Sequence, residues 1–272
     1  MKTALSAPSP FMARLIRILH SVVAANLLVL YTIAMGFLAM VIAFFDKTGT
    51  YQHWCARAWC RMIALTVGLR VTVTGLEHLP RQTPVVILSN HQSLLDIPVL
   101  FITLPFQFRV LAKQELFRIP LLGGFLKRAG HIPVDRGNRR ATPKLIRSAR
   151  NVLDAGIPVV IFPEGTRNLQ PTQVKAFKAG GFRLAREARV PLVPITIYGT
   201  AAFLPPRSLC LTPCPVHLTI HPPLNAAEIS IEEAMAQVAS IMNERLAALA
   251  TYDGLAKLSS SPVTSEKAVP RP

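Results

Sequence analysis

From Ser21 to Phe45 the chain runs for 25 residues without a charged side chain, SVVAANLLVLYTIAMGFLAMVIAFF. As a helix this run is about 37 Å long, against about 30 Å of bilayer hydrocarbon, and it predicts a membrane-inserted helix. Arg14, Arg17 and His20 precede it, and Asp46 and Lys47 close it. A cleaved signal peptide has an apolar core of only about 7–15 residues. A cut after Ala34-Met35-Gly36 would leave Phe37–Phe45 as an apolar mature terminus. Basic residues flank both ends, so charge alone does not orient the helix. Asn26 and Gly36 leave open a shallow hairpin that returns to the same face. A second stretch, Tyr51–Leu69, sets Trp54, Trp59, Arg57 and Arg61 among apolar residues. That pattern suits either the lipid headgroup layer or a helix packed on a neighbouring domain.

After Leu69 the period changes. Short β-rich runs occur at Arg70–Thr74, Val85–Ser89, Arg109–Ala112, His131–Val134, Pro158–Phe162, Leu192–Tyr198 and Val216–Ile220. Helical patterns fall between or after them at Ser93–Leu104, Glu115–Ala129, Pro143–Ala155, Ala176–Arg189 and Ile231–Ala250, with a kink expected at Pro98. Alternation of this kind predicts an α/β domain with a mixed, largely parallel sheet flanked by helices. Val85-Val-Ile-Leu and Val159-Val-Ile-Phe are apolar without alternation, as strands covered on both faces are. The organisation expected is therefore an N-terminal membrane-anchoring helix or helical hairpin over 1–69, an α/β domain over 70–250, and a disordered Ser/Pro/Lys/Ala tail over 251–272.

Composition narrows the function. The 272 residues are 51% apolar and carry a net charge of +16, with thirty Lys and Arg against fourteen Asp and Glu. Such charge suits nucleic acid or an anionic membrane, and the apolarity favours the membrane. A net twelve of the sixteen charges lie between Leu104 and Val190. There Thr142 and Pro143 suit a helix start, and Lys144, Arg147 and Arg150 recur on one helix face behind the loop residues Arg136, Arg139 and Arg140. No aromatic residues interleave this face as a nucleic-acid stacking platform requires. Cys55, Cys60, Cys210 and Cys214 lack metal-finger spacing and read as structural thiols.

Candidate chemistry sits at strand ends, where α/β sheets place ligands. Asn90-His91-Gln92-Ser93-Leu94-Leu95-Asp96 follows the buried run Val85–Ser89. Ser93 suits a helix N-cap, and Asp96 three residues later is set to reach back to His91. A His held in one tautomer by a carboxylate is a general base. Phe162-Pro163-Glu164-Gly165-Thr166-Arg167 ends a second buried run, with Gly165 for a tight turn and Arg167 as a planar donor fork for phosphate. Gly130–Arg136 ends a third in the pair Asp135-Arg136, and Val190–Ile195 enters a fourth through Pro191 and Pro194.

Together these four segments resemble the glycerolipid acyltransferases, and specifically the 1-acylglycerol-3-phosphate acyltransferases. Asn90–Asp96 is similar to that family's N-H-x-x-x-x-D block, and F-P-E-G-T-R stands unbroken at Phe162–Arg167. The resemblance spans about Val71 to Pro223; Ile132-Pro133-Val134 depart from it where members often carry an aromatic residue. It implies transfer of an acyl chain from a thioester, acyl-CoA or acyl carrier protein, to a lysophosphatidic acid acceptor, with no bound cofactor, no metal and no nucleic acid partner. It further implies His91 as base and Asp96 as its orienting partner. Arg136 and Arg167, with donors from Gly165 and Thr166, hold the phosphate. Lys113 is a further contact, and Glu164 orients the glycerol. The implied location is the inner, cytoplasmic membrane, with the catalytic domain facing the cytoplasm. Other lysophospholipid acceptors, and a non-catalytic anionic-lipid binder, remain open at this point.

Overall fold

A computed structural model of the chain describes residues 10–46, 48–80, 83–135, 142–168, 170–205 and 210–259. Each extended run expected from the sequence forms a strand: β1 (Val71–Thr74), β2 (Val86–Ser89), β3 (Arg109–Lys113), β4 (Ile132–Val134), β5 (Val159–Ile161), β6 (Leu192–Tyr198) and β7 (Val216–Ile220). They make one sheet in the order β1-β7-β6-β2-β5-β3-β4. Only the β6–β7 pairing is antiparallel; the others are parallel. The largely parallel sheet read from the sequence is thus present. Its β2, β5, β3, β4 and β6 ends all point to one edge.

The helices are α1 (Pro10–Ile42), α2 (Thr50–Val67), α3 (Asp96–Thr103), α4 (Leu122–Arg128), α5 (Thr142–Asp154), α6 (Gly180–Ala188), α7 (Thr200–Phe203) and α8 (Ile231–Ser259). They cover both faces of the sheet. Alternate residues of β2 divide the core: Val85 and Ile87 join α2 and α3 residues such as Cys60, Ile63, Val99 and Phe101. Val86 and Leu88 join α5, α6 and α8 through Ala149, Phe182, Val238 and Met242. Burial on both faces is why Val86–Leu88 of β2 and all of β5 are apolar without alternation.

Three of the helix boundaries that differ from the sequence expectation do so for a plain local reason. The helix expected from Ser93 begins at Asp96, because Ser93–Leu95 form a turn. Pro98 then falls in the first turn of α3, where backbone N–H groups have no intrahelical partner, and no kink is needed. The Glu115–Ala129 pattern splits at Pro120 into a 3-10 turn (Gln114–Arg118) and α4, with Leu121 at φ 62°. α8 continues past 250 to Ser259, carried by the helix formers Leu255, Ala256, Lys257 and Leu258. The rest of the expected tail lies outside the described residues.

α1 is unbroken, which removes the hairpin at Asn26 and Gly36; the Asn26 amide simply donates to the Val22 carbonyl one turn back. Among the described residues α1 alone is long and apolar enough to cross a membrane, and only 6% of its most apolar window is buried. It is tied to the domain at two points, a third of the way along and at its C-terminal end. The Ser21 hydroxyl accepts from Leu211 N at 2.9 Å, and Arg128 donates to the Ala43 carbonyl at 3.1 Å. α2 packs on the domain with Cys60, Ile63, Ala64 and Val67 buried, which settles the alternative left open for Tyr51–Leu69. Burial pushes the Cys60 thiol upward, away from the thiolate, as a structural cysteine requires.

The turn between α1 and α2 meets the sheet in a buried polar junction. Asp46 accepts from the backbone of Thr48, Gly49 and Gln52 at 2.9–3.1 Å. Burial alone would raise its carboxyl; these bonds outweigh that and hold it below the usual range. Arg109, 2% exposed, donates to the Thr48 carbonyl at 2.9 Å and to the Phe108 carbonyl at 3.2 Å. Beside it His131 accepts from Val110 N at 3.0 Å, so this ring nitrogen is unprotonated. Burial first, then the Arg109 charge, lowers His131 to about 3 and His53 to about 4. Burial and Arg245 lower His221 to about 4.

Each of these histidines takes up a proton more readily unfolded than folded, so stability falls as pH drops below the unfolded value of about 6.5. Each contributes a slope of up to about 1.4 kcal/mol per pH unit until its folded pKa is reached. Thermal unfolding between pH 7 and 4.5 should show this acid loss. His131→Gln, which keeps an acceptor for Val110 N, should reduce the slope by that one residue's share.

Candidate active site

The parallel strands bring the loops after β2, β5 and β6 to the same edge, and two carboxylates knit them together. Asp96, 0% exposed, is the first. Its Oδ2 accepts from Gln92 N at 2.7 Å, from Ser93 N at 2.8 Å and from His91 Nδ1 at 2.7 Å. Its Oδ1 accepts from the Thr200 hydroxyl at 2.6 Å, just beyond β6. A carboxylate at Nδ1 requires the proton there, which leaves Nε2 with a free lone pair. The His91 side chain is 14% exposed, so Nε2 belongs to a ring at the margin of solvent. Phe162 stacks on that ring with centroids 4.2 Å apart, fixing its plane.

Glu164 is the second carboxylate. One oxygen accepts from His91 N and the other from Lys175 N, both at 2.9 Å. Burial, the largest influence, raises its carboxyl despite those two bonds. Asn168 N closes the loop by donating to the His91 carbonyl at 2.6 Å. Asn90 is fastened from the other side, its amide exchanging bonds of 2.9 and 2.7 Å with the Ile197 backbone.

A cleft of about 1320 Å³ adjoins this knot at the β4 edge of the sheet. Its wall is apolar at Leu111, Ile132, Ile161 and Leu184, and it carries Arg118, Lys127, Lys144, Lys178 and Arg183 against Asp135. Phe162, Pro163 and Gly165 also line it, so the residue stacked on His91 borders the cleft as well. Gly165 has φ 70°, and a Cβ there would stand 2.8 Å from the Lys178 side chain. Only glycine lets that lysine lie across the turn.

His91, Asp96 and Glu164 are brought into direct contact, and Gly165 opens into the cleft. Thr166 and Arg167 follow on the same turn and are exposed; among the described residues none pairs with the Arg167 guanidinium. Glu164 is bound by two backbone amides, so its carboxylate positions the His91 loop, whereas the sequence suggested that it orients the glycerol. Lys113 ends β3 but is half-exposed, paired with Glu115 at 3.0 Å, and does not line the cleft. Arg136 lies outside the described residues. Two contributors were not foreseen. Thr200 follows a Gly at a strand end, the same signature that marked the other loops, and Lys178 lies one turn ahead of α6.

Residues 70–198 match the family model described as Acyltransferase. A 1-acyl-sn-glycerol-3-phosphate acyltransferase of Chlamydomonas reinhardtii is 35% identical over 228 residues, 82% of this chain and 68% of that one. The chain belongs to the glycerolipid acyltransferase family. The chloroplastic 1-acyl-sn-glycerol-3-phosphate acyltransferase of Arabidopsis thaliana is 32% identical over 75% of this chain, which spans 57% of that relative's length. The crystal structure of the 1-acyl-sn-glycerophosphate acyltransferase PlsC from Thermotoga maritima shares the fold, with a TM-score of 0.70 at 24% identity over 93% of this chain and 99% of that one.

Thr200→Val keeps the shape and removes one charge-assisted donor from Asp96, so the acyltransferase should lose about 1.5–3 kcal/mol of stability. Unfolding in detergent checks this. Thr200→Ser, which restores the hydroxyl, should recover most of the loss.

Proposed function

We propose that the protein transfers a fatty acyl chain from an acyl thioester to the sn-2 hydroxyl of 1-acyl-sn-glycerol-3-phosphate, giving phosphatidic acid. The observation that carries the reading is the 2.7 Å His91–Asp96 pair beside a cleft with an apolar wall and a cationic margin. An anchored binder of anionic lipid has no use for a base held in one tautomer. The relatives described above carry the name of this activity.

The chemistry follows from the geometry. His91 Nε2 takes the acceptor's hydroxyl proton as that oxygen attacks the thioester carbonyl. Asp96 stabilises the imidazolium that forms and keeps the ring oriented. The ester C–O bond forms, the C–S bond breaks, and the proton passes from His91 to the departing sulfur. No covalent acyl-enzyme is needed. The acceptor phosphate meets Arg167 and the donors of Thr166, with Lys178 beside them, and Arg–phosphate pairing is bidentate. The Gly165 N–H, expected to join them, instead donates to the Phe162 carbonyl at 3.0 Å and closes the turn. Glu164 keeps the His91 and Phe162 loops in register. The donor is acyl-CoA or an acyl carrier protein. On this reading α1 holds the domain at the cytoplasmic membrane with its catalytic side toward the cytoplasm, where soluble thioesters are made.

Removing a general base costs about 10²–10⁴ in rate. Membranes holding His91→Ala should therefore lose acyl transfer to lysophosphatidic acid by that factor while the protein stays in the membrane fraction. Assayed with labelled thioester against a panel of lysophospholipids, the wild type should prefer lysophosphatidic acid. Transfer only to another headgroup, or near-normal turnover by His91→Ala, refutes the assignment.

A further inference from the structure

The chain's two compositional excesses lie on opposite faces of the sheet. α1 joins the core through Ala24 on the face that carries α2 and α3. α5 and α6 cover the other face, through Ala149, Leu153, Phe182 and Leu184. Along α1 the large apolar side chains point outward, Phe11, Leu19, Val29, Leu30 and Phe37 each more than half exposed. A bilayer taken up by that surface is therefore separated from the outer face of α5 and α6 by the sheet and its helix layers. That separation is roughly 20 Å, more than two Debye lengths at physiological salt.

The outer face of α5 and α6 is nonetheless strongly cationic. Lys144, Arg147 and Arg150 on α5 and Arg183 and Arg186 on α6 are all exposed, and the two helices are neighbours. Only Arg150 is engaged, with Asp154 at 3.7 Å and with the Glu187 carbonyl. The other four have no partner among the described residues. Unpaired like charges at helical spacing repel one another, so the ridge costs stability in the free protein. Its shape bears on what relieves that cost. Small anionic ligands take concave sites, whereas exposed side chains on two convex helices suit a protein surface of opposite charge. Lys144 and Arg183 also line the cleft, so the ridge and the cleft wall are continuous.

We propose that the exposed α5–α6 ridge is the docking surface for an acidic acyl carrier protein, which presents its thioester to the cleft. The inference rests on the acyl-transfer reading and deepens it by naming the donor's form. The chain moves from the carrier's sulfur to the acceptor oxygen: the C–S bond breaks, the ester C–O bond forms, and the hydroxyl proton ends on the released thiol.

The test is the full-length Arg147→Glu/Arg186→Glu double variant, whose two positions lie outside the cleft lining. It is assayed for transfer to lysophosphatidic acid from acyl carrier protein and, separately, from acyl-CoA. With the carrier, kcat/KM should fall by roughly ten- to a hundredfold, mainly through KM, and lose its salt dependence. With acyl-CoA it should stay within about twofold, because the cleft is untouched. Arg147→Lys/Arg186→Lys should restore most of the carrier rate. Equal losses with both donors would overturn the proposal and assign the ridge to nucleotide phosphates. Unchanged kinetics with weaker binding to phosphatidylglycerol vesicles would overturn it in favour of lipid. Rejection of the carrier by the wild type would overturn it outright, whereas a wild type active with neither donor refutes acyl transfer itself.

Discussion

A carboxylate with no exposed surface is tolerated only if both of its oxygens find donors. Asp96 meets that condition with two backbone amides, a hydroxyl and an imidazole. Breaking such a buried pair from one side costs about 3–5 kcal/mol, because the remaining charge stays buried. The His91–Asp96 loop must therefore wrap until its own N–H groups aim inward, and the turn after β6 must bring Thr200 to the other oxygen. Much of the site's shape follows from satisfying this one side chain. Its contribution is to specify a conformation as much as to stabilise the fold.

Glu164 repeats the solution on the neighbouring strand end. Because its two oxygens bind amides of His91 and Lys175, the loop after β2 is tied to the loop after β5 and to the approach to α6. The imidazole is then held by its ring nitrogen, its backbone nitrogen and the stacked Phe162 face. A base restrained in this way needs little reorganisation when a hydroxyl arrives, which is where oriented active sites gain most of their rate. Both Glu164 oxygens are committed to this positioning, one to each loop.

The sheet was legible in the sequence because its signal is redundant. β5 is apolar throughout and β2 up to its last residue, Ser89, and Leu192–Tyr198 and Val216–Ile220 were bounded to the residue. Helix ends were less legible where two local rules competed, as at Pro98, which breaks a helix interior and suits a first turn. The Glu115–Ala129 pattern failed for a related reason, since its hydrophobic spacing persists across Pro120 while the backbone cannot. In the site, His91 and Asp96 were legible because their partnership is local, five residues apart. The Asp96–Thr200 bond spans 104 residues and exists only through the β2–β6 pairing, so no window of sequence holds it. Glu164 was found by its motif, but its bonds to His91 N and Lys175 N were not, because a motif gives a residue's type and place but not where its oxygens point.

The division of the sheet into an apolar side and a cationic side bears on why the cleft lies where it does. The β4 edge is one of the few places where the two helix layers come within reach of a single ligand. Lys127 of α4 and Lys144 of α5 line the same cleft from opposite sides of that strand. α4 in turn touches α1, where a Cβ added at Gly36 would lie 3.9 Å from Leu121 Cβ. A two-substrate reaction joining a lipid acceptor to a soluble thioester needs such a place. On the acyl-transfer reading proposed above, the acceptor arrives along the α1–α4 side without leaving the membrane, and the donor along the α5–α6 side without entering it. A site in the middle of the sheet would force one of them through a packed core. The edge strand removes that conflict, and Phe162, stacked on the His91 ring, borders the same cleft.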